Sequence, residues 1–124
     1  MEREIKFKAW SKATEKMTEW EFIKSVRNFE KLLTLDHVVV LQFTGLKDKN
    51  GKEIYEGDIV KYYQPYAKRY DTHIVKWDSL FACFSLFEEG NEWAKESDWV
   101  KITALENLGN VFETPELIPR AVGV

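Results

Sequence analysis

Asp48, Glu53, Glu56 and Asp58 crowd one short stretch between two apolar runs. Clustered carboxylates can hold a divalent cation or exchange protons as acid and base. Their spacing does not match an EF-hand loop, which alternates its ligands around a fixed glycine and a final glutamate. No His or Cys lies within the stretch. A structural role is therefore expected, because Asp and Asn side chains bond the backbone of tight turns. Lys49-Asn50-Gly51-Lys52 has the composition of such a turn, since Asn and Gly tolerate positive φ. Glu56-Gly57-Asp58 is a second break, set directly before the apolar run that follows.

The remaining candidates for chemistry are sparse. His37 and His73 are the only imidazoles, and Cys83 is the only thiol. Neither histidine accompanies a nucleophile motif, a zinc-binding His-Glu-Xaa-Xaa-His or a phosphate-binding loop. Cys83 lies in the apolar run Leu80–Phe84, where a small buried thiol is expected, and a Cys83–His73 dyad would need the fold to join them. No metal, cofactor or catalytic set is assigned, and the chain is read as a non-enzyme.

A different chemistry is offered by Lys61, Tyr62, Tyr63, Tyr66, Lys68, Arg69 and Tyr70. Cations interleaved with rings can follow a phosphate backbone while the rings stack on bases. Tyr and Arg are also enriched where proteins meet, so the same residues suit a protein interface. A plain wet loop is the third possibility. The protein interface is the reading adopted, and nucleic-acid binding is the alternative.

Charge does not favour nucleic acid in general, because the formal net charge is −3. It is unevenly spread: residues 1–77 carry 15 Lys/Arg against 12 Asp/Glu, whereas residues 78–124 carry 3 against 9. A mildly basic body with an acidic end suits head-to-tail association. The charged start and the lack of a long apolar stretch predict neither a signal peptide nor a membrane span, with the cytoplasm as default compartment.

These residues must be positioned by a β-rich frame. At 124 residues the chain suits one domain, 1–124, and its 15% aromatic content favours sheets. Glu4–Trp10 alternates as a half-buried strand, and a return begins near Met17. Val38–Phe43 reads as a strand covered on both faces, followed by strands at Asp58–Tyr63, Thr72–Trp77, Leu80–Phe87 and Trp99–Thr103. Gln64–Asp71 reads as an exposed loop. Thr18-Glu19-Trp20-Glu21 matches a capping box, and Phe22, Val26, Phe29 and Leu33 recur at helical spacing. One amphipathic helix is expected over about residues 19–33, with Trp20 exposed at its start. Thr114-Pro115-Glu116 predicts a short C-terminal helical turn. The fold class is mainly β with some α: a small barrel-like or rolled antiparallel sheet with one inserted helix.

Four blocks carry a resemblance to a known family: Arg3–Trp10, Gln42–Val60, His73–Trp77 and Leu105–Leu117. Within them, Thr44-Gly45-Leu46-Lys47-Asp48, Asn50-Gly51 and Ile54-Tyr55-Glu56-Gly57-Asp58 are the most specific, and Leu108–Leu117 matches that family's C-terminal signature. The chain resembles the YopX family of bacteriophage and prophage proteins. That resemblance implies a β-rich fold, a phage or prophage origin and a tendency to form homo-oligomers. A host or phage protein, met in the bacterial host cytoplasm, is the expected partner. It implies no established activity.

Overall fold

The structure, a computed structural model, describes residues 4–25, 28–64, 68–79, 82–87 and 105–118. Alternation in the first strand organises one sheet. In β1 (Phe7–Ser11), Ala9 is buried while its neighbours are only half-buried. β1 pairs antiparallel with β2 (Lys16–Thr18), Ala9 opposite Thr18, and with β3 (Val38–Lys47), Ala9 opposite Val40. β4 (Glu53–Tyr55) returns along β3 through the Asp48–Gly51 turn, giving the order β2-β1-β3-β4. The β3–β4 register shifts between Phe43 and Lys47, where Gly45 takes a φ of 89°. This bulge carries β3 further than the apolar run Val38–Phe43 suggested.

A second antiparallel sheet has the order β7-β6-β5-β8. Its strands are β5 (Asp58–Gln64), β6 (Arg69–Asp78), β7 (Cys83–Phe87) and β8 (Glu106–Asn110). β5 and β6 are the central pair, and their bases are covered on both sides. Val60 and Val75 join Ile54, Leu86 and Leu105 in one fully buried cluster, with Phe84 packed against it. Ile59 and Ile74 are buried on the other face. Each such side chain contributes roughly 1.5–3 kcal/mol by leaving water. The curled sheets form a half-barrel, as expected of a mainly β fold.

The helical segment differs from expectation. The single helix over 19–33 is replaced by two short pieces, α1 (Trp20–Ile23) and α2 (Phe29–Leu33). Thr18 cannot act as an N-cap because it is paired in β2, so Glu19 takes that position without a side-chain bond. Asn28, in a non-helical conformation, accepts the Lys31 N–H and starts α2 afresh. Trp20 is half-buried rather than exposed, its ring 5.8 Å from that of Phe7, and Phe29 lies against the same ring at 5.2 Å. Val26 lies outside the described residues.

Three further expectations are revised. Gln64–Asp71 is not a loop throughout, since Gln64 pairs with Arg69 and Tyr63 with Tyr70. Cys83 is exposed, because it sits at the end of the β6–β7 ladder opposite Asp78, its Sγ 3.6 Å from Ser85 Oγ. His73 is five residues from Asp78 along β6, about 17 Å at strand rise, so no Cys83–His73 dyad forms. Leu105–Phe112, given no element from sequence, supplies β8, whereas the expected C-terminal helical turn is present, as a 3₁₀ helix at Pro115–Leu117. The strand expected at Trp99–Thr103 lies outside the described residues.

Candidate functional site

The clustered carboxylates meet at the join between the sheets. Asp48 Oδ1 accepts the Asn50 and Lys52 N–H groups, each at 2.9 Å, and closes its own turn. Its Oδ2 accepts the Asn107 N–H of β8 at 2.8 Å. Burial opposes ionisation of Asp48, but these three backbone donors outweigh it and hold the carboxyl below its ordinary value. Asp58 lies at the start of β5, 4% exposed. Its Oδ2 accepts both the Tyr55 N–H and the Asn107 side-chain amide at 2.8 Å. Burial nevertheless dominates and pushes Asp58 up to about 6.

Asn107 thereby ties three segments together, because the same amide nitrogen also donates to the Glu53 carbonyl at 3.0 Å. Glu56 Oε1 accepts the Gln42 N–H, and Glu53 pairs with Lys6. Among the described residues no group of three or more His, Cys, Asp or Glu is placed to hold a metal ion. The four acids serve as backbone acceptors and an ion-pair partner, as turn chemistry predicts.

Glycines complete the join. Gly57 turns the chain from β4 into β5 at a φ of 86°, donating to the Val75 carbonyl and accepting from the Val111 N–H. A Cβ there would meet the Phe112 ring at 3.1 Å. Gly109 has a φ of 150°, and a Cβ would fall 2.3 Å from Thr114 Oγ1. That hydroxyl is committed, accepting from the Asn110 N–H and donating to its carbonyl.

The residues singled out as an interaction segment form the far end of the β5–β6 hairpin. Among the described residues, β8 pairs with β5 as far as Lys61, and β7 pairs with β6 from Ile74 onward. Beyond those points, among the described residues, β5 and β6 pair with each other alone. This part of the hairpin, Lys61–Gln64 against Arg69–Thr72, is termed the finger. Lys61, Tyr63 and Tyr70 come together on one face, with the tyrosine rings edge-on at 5.3 Å and Lys61 Nζ 4.9 Å above Tyr70. Tyr63 and Tyr70 are 46% and 63% exposed. Lys61 also lies 3.7 Å from Glu106, and Arg69 bonds Asp71 at 3.0 Å on the opposite face. Lys68 is exposed in the turn, with a φ of 52°. Tyr66 and the side chain of Tyr62 lie outside the described residues.

At the opposite end of β5 a cleft of about 380 Å³ opens over Asp58. Its lining includes Lys8, Glu19 and Lys52, the β8 segment, Glu113 and Thr114. Lys8 Nζ lies 3.7 Å from Glu19 and 4.4 Å above the Tyr55 ring. Sequence reasoning did not anticipate this cleft or the central part of Asn107. The only signal was the block Leu105–Leu117, whose Asn and Gly residues had no assigned task.

The solved structures include one similar over nearly the full length. The crystal structure of protein EF1440 from Enterococcus faecalis is 26% identical, with a TM-score of 0.63, covering 94% of this chain and 99% of that one. No protein with a curated functional record matches significantly. The glycine and asparagine signature that builds the join is part of a wider match, because the family model described as YopX protein fits residues 6–119. The chain belongs to the YopX family.

Proposed function

We propose that the protein is a non-enzymatic, self-associating interaction module whose contact element is the β5–β6 finger. The supporting observation is the exposed Tyr63–Tyr70 pair, held edge-on beneath Lys61 across the far part of the β5–β6 hairpin. Aromatic rings give large contact areas for little loss of side-chain freedom, which suits them to anchoring a partner. A phage or prophage origin and a place in the host cytoplasm, both implied by the family, would make a host or phage protein the further partner. No helix is long and apolar enough to cross a membrane among the described residues.

The nucleic-acid alternative has less support. Lys61 faces Glu106 and Arg69 faces Asp71, so two cations of the segment are already balanced locally. Size-exclusion chromatography with light scattering tests the first reading. Assemblies larger than a monomer are expected at tens of micromolar, and Tyr63→Ser with Tyr70→Ser should dissociate them. A clean monomer in the wild type would sink the proposal. Oligonucleotide binding that weakens with salt and is lost on Lys68→Glu with Arg69→Glu would install the alternative instead.

A further inference from the structure

We propose that Asn50 is a site of slow self-modification: its side chain closes onto the Gly51 nitrogen, loses ammonia and leaves an isoaspartate that loosens the turn's hold on β8. Asparagine is thermolabile because its amide carbon lies within reach of the next main-chain nitrogen, and an attack within one chain gains from proximity. A side chain on the following residue obstructs the ring. Of the asparagines in the sequence, only Asn50 precedes a glycine. Asn50 and Gly51 are both exposed, and a Cβ at Gly51 would meet nothing within 4 Å, so there is room for a ring to close. Among the described residues the Asn50 side-chain amide makes no hydrogen bond, while its main-chain N–H is engaged by Asp48 Oδ1.

The chemistry balances with water alone. The Gly51 nitrogen gives its proton to solvent and bonds to the Asn50 side-chain carbon. The bond from that carbon to Nδ2 breaks, and the nitrogen leaves as ammonia with a proton from solvent. Water then opens the cyclic imide. Opening at the side-chain carbonyl yields aspartate, and opening at the main-chain carbonyl yields isoaspartate, whose backbone runs through the β-carbon.

The folded turn governs the rate and carries the consequence. The Gly51 N–H donates to the Asp48 carbonyl at 3.0 Å, which keeps its proton in place until the turn opens. Isoaspartate adds an atom to the main chain inside the loop closed by the Gly51–Asp48 and Lys52–Asp48 bonds. It also sets a new carboxylate beside that of Asp48, where like charges repel. Those bonds matter beyond the turn, because Asp48 Oδ2 holds the Asn107 N–H and the Leu105 carbonyl accepts the Lys49 N–H. A change at residue 50 therefore weakens the grip on β8.

Incubation of the intact protein in mildly alkaline buffer tests this, read by peptide mass spectrometry and by enzymatic methylation of isoaspartate. Asn50 should gain one mass unit while Asn28, Asn107 and Asn110 keep their amides. Conversion should speed up in urea, and about tenfold with Asp48→Asn, which weakens the turn. The isoaspartyl form, separated from the fresh protein, should show a folded-to-unfolded ratio about tenfold lower in urea. Asn50→Gln, whose longer side chain does not readily close this ring, should keep the fresh protein's urea midpoint through the same incubation. Retention of the Asn50 amide to the same extent as the other asparagines would overturn the proposal. Equal rates with and without urea would overturn the part given to the turn. An isoaspartyl form with an unchanged urea midpoint, or an equal loss in incubated Asn50→Gln, would overturn the link to β8.

Discussion

The two ends of β5 are built on opposite plans. At the Asp58 end, Asp48 and Asp58 each take donors from elsewhere in the chain, and Asn107 bonds three segments at once. Substitution at Gly57 or Gly109 there meets a neighbouring side chain. At the Gln64 end, among the described residues, the strands pair with each other alone, and Tyr63 and Tyr70 are exposed. The Asn, Asp and Gly residues of the Asp48–Asp58 stretch and of β8 gather at the first end, where they bond the backbone.

Gly109→Ala should give the largest effect at the join. It places a methyl group on the Thr114 hydroxyl at a φ that L-residues avoid, and a loss of about 3 kcal/mol or more is expected in urea unfolding. Asp48→Asn comes next. Both Asp48 oxygens face N–H donors, so an amide must turn an NH₂ toward at least one of them, a loss of about 2–3 kcal/mol.

Asp58→Asn should behave differently, because both donors fall on one oxygen that an amide can reproduce. Near-neutral stability is expected at pH 7 to 8, and the pH dependence carries the information. Burial raises the folded-state value to about 6, so the folded protein favours the protonated acid. Asp58 therefore adds stability to the wild type as pH falls from about 7 toward the ordinary carboxylate value, and withdraws it as pH rises through 6. Urea midpoints should show the wild type gaining on Asp58→Asn over that interval. Asp48, held below its ordinary value, has the opposite sign: its contribution is present above about pH 4 and is lost on further acidification.

The smallest effect is expected at the finger. Tyr63→Ser with Tyr70→Ser should change monomer stability by less than about 1 kcal/mol, since the two residues are 46% and 63% exposed. A loss as large as that of Gly109→Ala would erase the contrast between the two ends.

The strands were legible where one strand's own alternation or β-branched run determined its fate, as in Phe7–Ala9 and Ile59–Val60. The turn at Asn50-Gly51 was equally local. What escaped the sequence depended on distant partners. Thr18 looked like a helix cap until β1 claimed it, and Asn28 restarted a helix that periodicity carried through. The paired ends at Tyr63 and Tyr70 were hidden by polar neighbours and Pro65. Cys83 looked buried because its run is apolar, yet the ladder ends there. Asn107 carried no local sign, because its role lies in Asp48, Glu53 and Asp58.

That last bond also has a kinetic meaning. The Asp48–Asn107 contact spans 59 residues, and the β5–β8 ladder forms alongside it. Closing so long a loop loses chain entropy before any compensating contact is made, so the join should form late in folding. During synthesis the earlier strands must wait, with their edges open, until residue 107 has left the ribosome.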